Sequence, residues 1–173
     1  MIDPVFCPAC GSRRLLRQPS ENAYCCLDCN VVHYLNSKAA VCAIIVRDGS
    51  VLLVQGHDSA RGWDLPGGFL RLGESPEDGL ERELQEELTA HVAVVQLLSA
   101  KVDPYGTQGE FSLNLFYEAT LLTEELVPAN EIAQFGWFSL LQLPPLEYRG
   151  TAWALEDFAH RTRVHEQGFR SRP

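Results

Sequence analysis

Positive charge is scarce in this chain, and so are long apolar runs. Fourteen Lys and Arg stand against twenty-three Asp and Glu, a formal net charge of −9 over 173 residues. That balance argues against a broad contact with a nucleic-acid backbone, and it means that an anionic substrate needs a cation to meet it. The longest apolar stretch, Ala39 to Val46, is far too short to span a bilayer. The opening Met-Ile-Asp-Pro-Val-Phe has neither the basic start nor the apolar run of a secretory signal. A cytoplasmic protein without membrane contact is therefore expected. Internal repeats and low-complexity tracts are missing too. With 46% hydrophobic residues, the length suits one domain with a proper core plus a small appendage, not two full domains.

Six cysteines are present, four of them in Cys-x-x-Cys pairs. That spacing belongs to a metal site in a reducing compartment more than to a secreted disulfide scaffold. Cys7-Pro8-Ala9-Cys10-Gly11 and Cys26-Leu27-Asp28-Cys29 can each turn two thiolates toward one ion. Zn²⁺ held by four sulfurs keeps no open position, so a site made of Cys7, Cys10, Cys26 and Cys29 is expected to be structural. Cys25 competes with its neighbour, and the two-residue spacing favours Cys26. Cys42, among apolar strand residues, reads as core. Arg13, Arg14 and Arg17 in the ribbon loop read as solvated surface rather than a nucleic-acid contact. Cysteine, turn residues and Arg dominate positions 1–35, and strand-like runs begin near Ala39. The expected division is a ribbon at 1–36 and a main domain at 37–173.

In the main domain, the apolar runs Val41–Val46 and Val51–Gln55 flank Arg47-Asp48-Gly49-Ser50, the pattern of a buried hairpin with an Asp-Gly turn. Ser75-Pro76-Glu77-Asp78 supplies a cap residue, proline at the first helical position and an acid three residues after the cap, and Leu80, Leu84 and Leu88 follow at intervals of four. Strands are expected at Val92–Val102, Phe111–Leu122 and Ile132–Phe138, and a terminal helix at Gly150–Arg161. The sum is a mixed α/β or α+β domain.

On the Ser75 helix, Glu83, Glu86 and Glu87 fall within an arc of about 100° beside the leucine stripe. Like charges four apart repel by a few tenths of a kcal/mol, about enough to favour a divalent cation among them. Mg²⁺ takes one or two carboxylates, waters and substrate phosphate oxygens, which suits such a face. Alone, the helix is equally an ordinary charged surface. The preceding Trp63-Asp64-Leu65-Pro66-Gly67-Gly68-Phe69-Leu70-Arg71-Leu72-Gly73-Glu74 shifts the balance, because a Pro-Gly-Gly turn permits close backbone approach.

From Gly68, five residues lead to Glu74 and seven more to Arg82-Glu83-Leu84-Gln85-Glu86-Glu87-Leu88, and this resembles the signature of the Nudix hydrolases. Thr89 stands where the signature ends on glycine, a departure that touches helix termination and no metal ligand. The ribbon, His33-Tyr34-Leu35-Asn36-Ser37-Lys38 and the domain after it resemble the zinc-ribbon subgroup. Ser37 occupies a position where that subgroup often carries proline.

The resemblance implies an α+β Nudix-type α/β/α sandwich with a mixed sheet, preceded by a small zinc ribbon. It implies Mg²⁺ or Mn²⁺ on Glu83, Glu86, Glu87 and the Gly68 carbonyl, and an Arg82–Glu74 pair holding the loop to the helix. Glu86 ranks first as general base, with Glu131 as the candidate off the helix. Trp63, Tyr105 and Arg71 are the candidate substrate contacts, whereas Phe111 and Phe116 read as core. The implied reaction is hydrolysis of a nucleoside diphosphate linked to another group, with ADP-ribose, FAD or a similar dinucleotide favoured. NADH ranks lower because Ser99-Ala100-Lys101-Val102-Asp103-Pro104 stands where NADH pyrophosphatases of the family carry Ser-Gln-Pro-Trp-Pro-Phe. A non-catalytic nucleotide sensor is the alternative, although such proteins typically lose the signature acids. RNA decapping is disfavoured by the acidic balance. A homodimer is compatible with the resemblance.

Overall fold

The structure is a computed structural model that describes residues 4–57, 62–106 and 109–170, with the helical backbone alone for 163–170. Two compact units emerge: Met1–Lys38 with Pro104–Ser112, and Ala39–Asp103 with Leu113–Pro173.

In the first unit, β1 (Leu15–Gln18), β2 (Ala23–Cys26) and β3 (Val32–Tyr34) form an antiparallel sheet in that order. Its two cysteine turns are built alike. The residue after each pair takes the left-handed conformation, Gly11 at φ 75 and Asn30 at φ 58. Each returns its N–H to the first cysteine's carbonyl, at 2.8 Å for Gly11 to Cys7 and 2.9 Å for Asn30 to Cys26. Glycine and asparagine are the residues that tolerate this geometry. Arg13 and Arg17 lie over the rings of Phe6 and Tyr24, and Arg14 pairs with Asp28 at 2.5 Å.

The second unit contains β4 (Lys38–Ile44), β5 (Val46–Arg47), β6 (Ser50–Gly56), β7 (Gly67–Phe69), α1 (Pro76–Leu88), β8 (Val92–Tyr105), β9 (Glu110–Leu121), β10 (Ile132–Ser139) and α2 (Arg149–Arg170), of which β4 and β8–β9 reach into the first. Strand orders are β10-β6-β5 and β7-β4-β9-β8. The β5–β6 turn is Asp48-Gly49, both at positive φ, with Arg47 paired to Ser50. Two central residues at positive φ match the twist of the strands they join.

Side-chain alternation along the strands sorts the core into two layers. Val41, Ala43, Leu52, Val54, Tyr117 and Ala119 pack with Leu80, Leu84 and Leu88 of α1. The residues between them, Ile44, Val51, Leu53 and Phe116, pack with Ala154, Leu155 and Phe158 of α2. Strands buried on both faces explain the near-continuous apolar runs of β4 and β6. The outcome is an α+β architecture with a mixed sheet flanked by two helices and preceded by a cysteine cluster.

The helix foreseen from Ser75 begins there: Ser75 Oγ accepts the Asp78 N–H at 3.2 Å. It ends at Thr89, which adopts the left-handed conformation (φ 53, ψ 35) despite its branched side chain. The terminal helix is longer than its apolar pattern indicated, because polar turns continue it to Arg170. The short strand β7 had no alternating pattern to announce it. No described helix is long and apolar enough to cross a membrane.

Candidate active site and cysteine cluster

Backbone contact between the Pro-Gly-Gly loop and α1 creates the site. Gly67 has φ 145, and a Cβ there would collide with the Val41 carbonyl. Its N–H donates to Glu87 Oε2 at 2.9 Å. A Cβ on Gly68 would lie 2.7 Å from the Glu83 carboxylate, so the absence of side chains brings the loop backbone onto both acids.

Glu83 and Glu87 are therefore not surface residues; they are 9% and 6% exposed. Burial first, then the charges of Glu83, Glu131 and Asp64, push the Glu87 carboxyl up to about 8, against the opposing Gly67 N–H. Glu86 is more open. Desolvation works against its ionisation, but hydrogen bonds from Arg82 and Arg71 outweigh it and hold its carboxyl below the ordinary range.

Arg82 organises the loop around these acids. Its Nε and Nη2 donate to the two oxygens of Glu74 at 2.7 and 2.9 Å, and Nη2 also reaches the Phe69 carbonyl at 3.1 Å. Nη1 donates to Glu83 at 2.7 Å and to Glu86 at 3.0 Å. Glu74, held by Arg82 and by the Arg71 N–H, is brought down to about 2. Arg71 places Nη2 2.7 Å from Glu86 Oε1 with most of its own side chain exposed.

The other candidates are placed differently. Glu131 is exposed, and its charge is felt at Glu87. Trp63 meets the Phe138 ring edge-on, with centroids 4.5 Å apart, in the α2 layer. Tyr105 lies in the first unit, with Lys38 Nζ 5.4 Å from its ring centre. Phe116 is core, as its strand pattern indicated, whereas Phe111 is 42% exposed.

Sequence reading passed over Asp64, quoted only as part of the loop. Its Oδ1 accepts the Leu65 N–H at 2.8 Å and the Thr151 hydroxyl from the first turn of α2. Desolvation pushes its carboxyl up to about 7, against the hydrogen bonds of Thr151 and Leu65. A charged residue between Trp63 and Leu65 was the available signal. Asn130, whose Nδ2 donates to the Glu86 carbonyl at 2.6 Å, had none.

Buried, mutually repelling carboxylates faced by an unobstructed backbone loop make an oxygen-donor set suited to a hard divalent cation. The Gly68 carbonyl belongs to the same loop. The cysteine cluster offers the opposite chemistry. The Sγ atoms of Cys7, Cys10, Cys26 and Cys29 all lie within 4.8 Å of one another, with Cys7–Cys29 and Cys10–Cys26 at 3.6 Å. Four sulfurs about 2.3 Å from one tetrahedral zinc stand about 3.8 Å apart, so the set fits. Cys25 turns its Sγ toward the Cys26 carbonyl instead. All six cysteines are free thiols, and Cys42 is enclosed by apolar neighbours.

The profile of the NUDIX domain matches residues 36–158. The NAD-capped RNA hydrolase NudC of Pseudomonas fluorescens is 31% identical over 143 residues, which are 82% of this chain and 50% of that protein. The chain thus spans about half the length of the curated relatives it matches. Among solved structures, a NUDIX hydrolase from Nitrosomonas europaea superposes with a TM-score of 0.73 at 26% identity, covering 90% of this chain and 92% of that one. An ADP-ribose pyrophosphatase from Streptococcus suis does so with a TM-score of 0.57 at 30% identity, covering 70% and 91%.

Proposed function

Since the chain belongs to the Nudix family, we propose that it is a Mg²⁺- or Mn²⁺-dependent pyrophosphohydrolase cleaving a nucleoside diphosphate linked to a second group. The observation that carries this reading is the seating of Gly67 and Gly68 on Glu87 and Glu83, with Arg82 and Glu74 clamping the loop beside them. Glu83, Glu86, Glu87 and the Gly68 carbonyl would hold the ion. When bound, it would neutralise diphosphate charge and make a water more acidic. Glu86, the most open of the three acids, would accept the proton of the attacking water, with Glu131 as the second candidate. Arg71, exposed beside Glu86, would meet a phosphate oxygen. Trp63 and Tyr105 remain the aromatic candidates for a base or ribose. The ribbon, taken as 1–36, would be held by structural Zn²⁺, and 37–173 would carry the chemistry. A cytoplasmic setting agrees with four closely packed free thiols.

For the substrate, ADP-ribose is supported by the likeness to the streptococcal ADP-ribose pyrophosphatase, and FAD stands beside it as a dinucleotide with the same ADP half. A nicotinamide dinucleotide at an RNA end is supported by the curated relatives, which are NAD-capped RNA hydrolases. All share a pyrophosphate next to adenosine, and that shared unit is the proposed substrate class. A panel of ADP-ribose, FAD, NADH, NAD-capped RNA, capped RNA and nucleoside triphosphates with Mg²⁺ or Mn²⁺ tests it by product identification. Turnover on none of them would favour a nucleotide sensor. Glu87→Gln keeps an acceptor for the Gly67 N–H, so it should fold normally and lose about a hundredfold or more in kcat. Near-normal rates in that variant would sink the metal assignment.

A further inference from the structure

One side chain next to the cysteine cluster is not accounted for by four-sulfur ligation. His33 Nε2 lies 3.2 Å from Cys7 Sγ, across 26 residues of sequence. Sheet register brings it there. β3 pairs with β2 so that His33 stands opposite Tyr24 and Val32 opposite Cys25. Alternation then gives His33 the same face as Tyr24 and Cys26, the face buried with the ligands, while Cys25 takes the other.

We propose that His33 is a positioning residue of the metal cluster, its Nε2–H donating to Cys7 Sγ and securing the bound zinc without ligating it. The proposal rests on reading the cluster as a zinc site. Two observations separate this role from ligation. The mutually close ligand atoms are the four cysteines, a set that already completes a tetrahedron. His33 flanks one member of that set. Moreover, two ligands of one tetrahedral zinc, a nitrogen at about 2.0 Å and a sulfur at about 2.3 Å, would sit about 3.5 Å apart, farther than the 3.2 Å seen.

The physical need is charge. Four thiolates around Zn²⁺ leave two negative charges in a small unit, and N–H groups aimed at sulfur disperse them. His33 supplies such a group at Cys7. Because it sits on β3, it also ties the third strand to the first cysteine turn.

The test uses the full chain loaded with Zn²⁺ or Co²⁺. His33→Leu should release zinc to a chromogenic chelator 10- to 100-fold faster. His33→Gln, whose amide N–H can still reach the sulfur, should recover much of the loss. The cobalt forms of wild type and both variants should share one four-thiolate tetrahedral spectrum. Should His33→Leu fail to fold, His33→Asn, with an amide too short to reach, takes its place. Equal release rates in all variants, or a cobalt spectrum that changes when His33 is replaced, would overturn the proposal. Failure of the wild-type chain to take up cobalt or zinc would strike down the zinc reading itself, and the role of His33 with it.

Discussion

Thr89 shows what one residue can cost. A β-branched side chain in the left-handed region is strained by about 1 kcal/mol or more relative to glycine, and its hydroxyl recovers little through a 3.4 Å contact to the Val127 carbonyl. Thr89→Gly should raise stability by about 1 kcal/mol, seen as a rise of a few degrees in Tm with kcat unaltered. Asp64 is the opposite case, a residue under electrostatic rather than steric strain. Its folded carboxyl titrates at about 7 against an ordinary value of 3.8, so between these limits the folded protein keeps a proton that the unfolded chain has released. The Asp64 contribution to stability is then fully present below about pH 4, falls as pH rises toward 7, and is lost above it. The full effect is at most about 4 kcal/mol, less for the part of the side chain that water still reaches. Asp64→Asn keeps the acceptor for Leu65 and Thr151. Urea unfolding between pH 4 and 8 should show a decline in the wild type and a flatter profile in the variant.

At the scale of elements, α1 was legible because each of its signals is local. A cap, a proline, a leucine every fourth residue and an acid-rich neighbouring face lie within fifteen positions. The strands β4 and β6 were legible as apolar runs, since burial on both faces removes the polar alternation that would break them. Three features were not. The ribbon strands, three or four residues each, are too short to carry a pattern; β7 pairs with Ala40 to Cys42, far off in sequence; and the burial of Glu83 and Glu87 follows from the loop that covers them. The helix end belongs to the same class. Segment 127–130, distant in sequence, takes up the last carbonyls of α1: Val127 N–H donates to Leu88, Ala129 N–H to Glu87 and Asn130 Nδ2 to Glu86. Asn130→Ala leaves the Glu86 carbonyl unpaired and puts alanine at φ 52, so a loss of about 1–2 kcal/mol is expected in urea unfolding. Asn130→Gly, free of the backbone strain, should lose less. Because this turn bears Glu86 and Glu87, both variants should also need more Mg²⁺ for half-maximal activity.

In the whole molecule, the two units carry different chemistry, a cluster of four cysteine sulfurs in one and a double-layered apolar core with buried acids in the other. A small sheet with few buried apolar side chains draws its stability from a metal, whereas a sheet covered on both faces by helices folds on its own core. Divalent ions should therefore act on the two units separately. Mg²⁺ at a hundred times its Kd should stabilise the second by about 2.7 kcal/mol through mass action, and Glu87→Gln should abolish that increment. A zinc-selective chelator should instead remove a transition reported by Tyr24 in the first unit, leaving the Mg²⁺-sensitive transition, followed through Trp63 and Trp137, at its original temperature. Calorimetry with each ion added or withdrawn distinguishes the outcomes. A single transition that moves with both ions would mean that the two units unfold as one cooperative body.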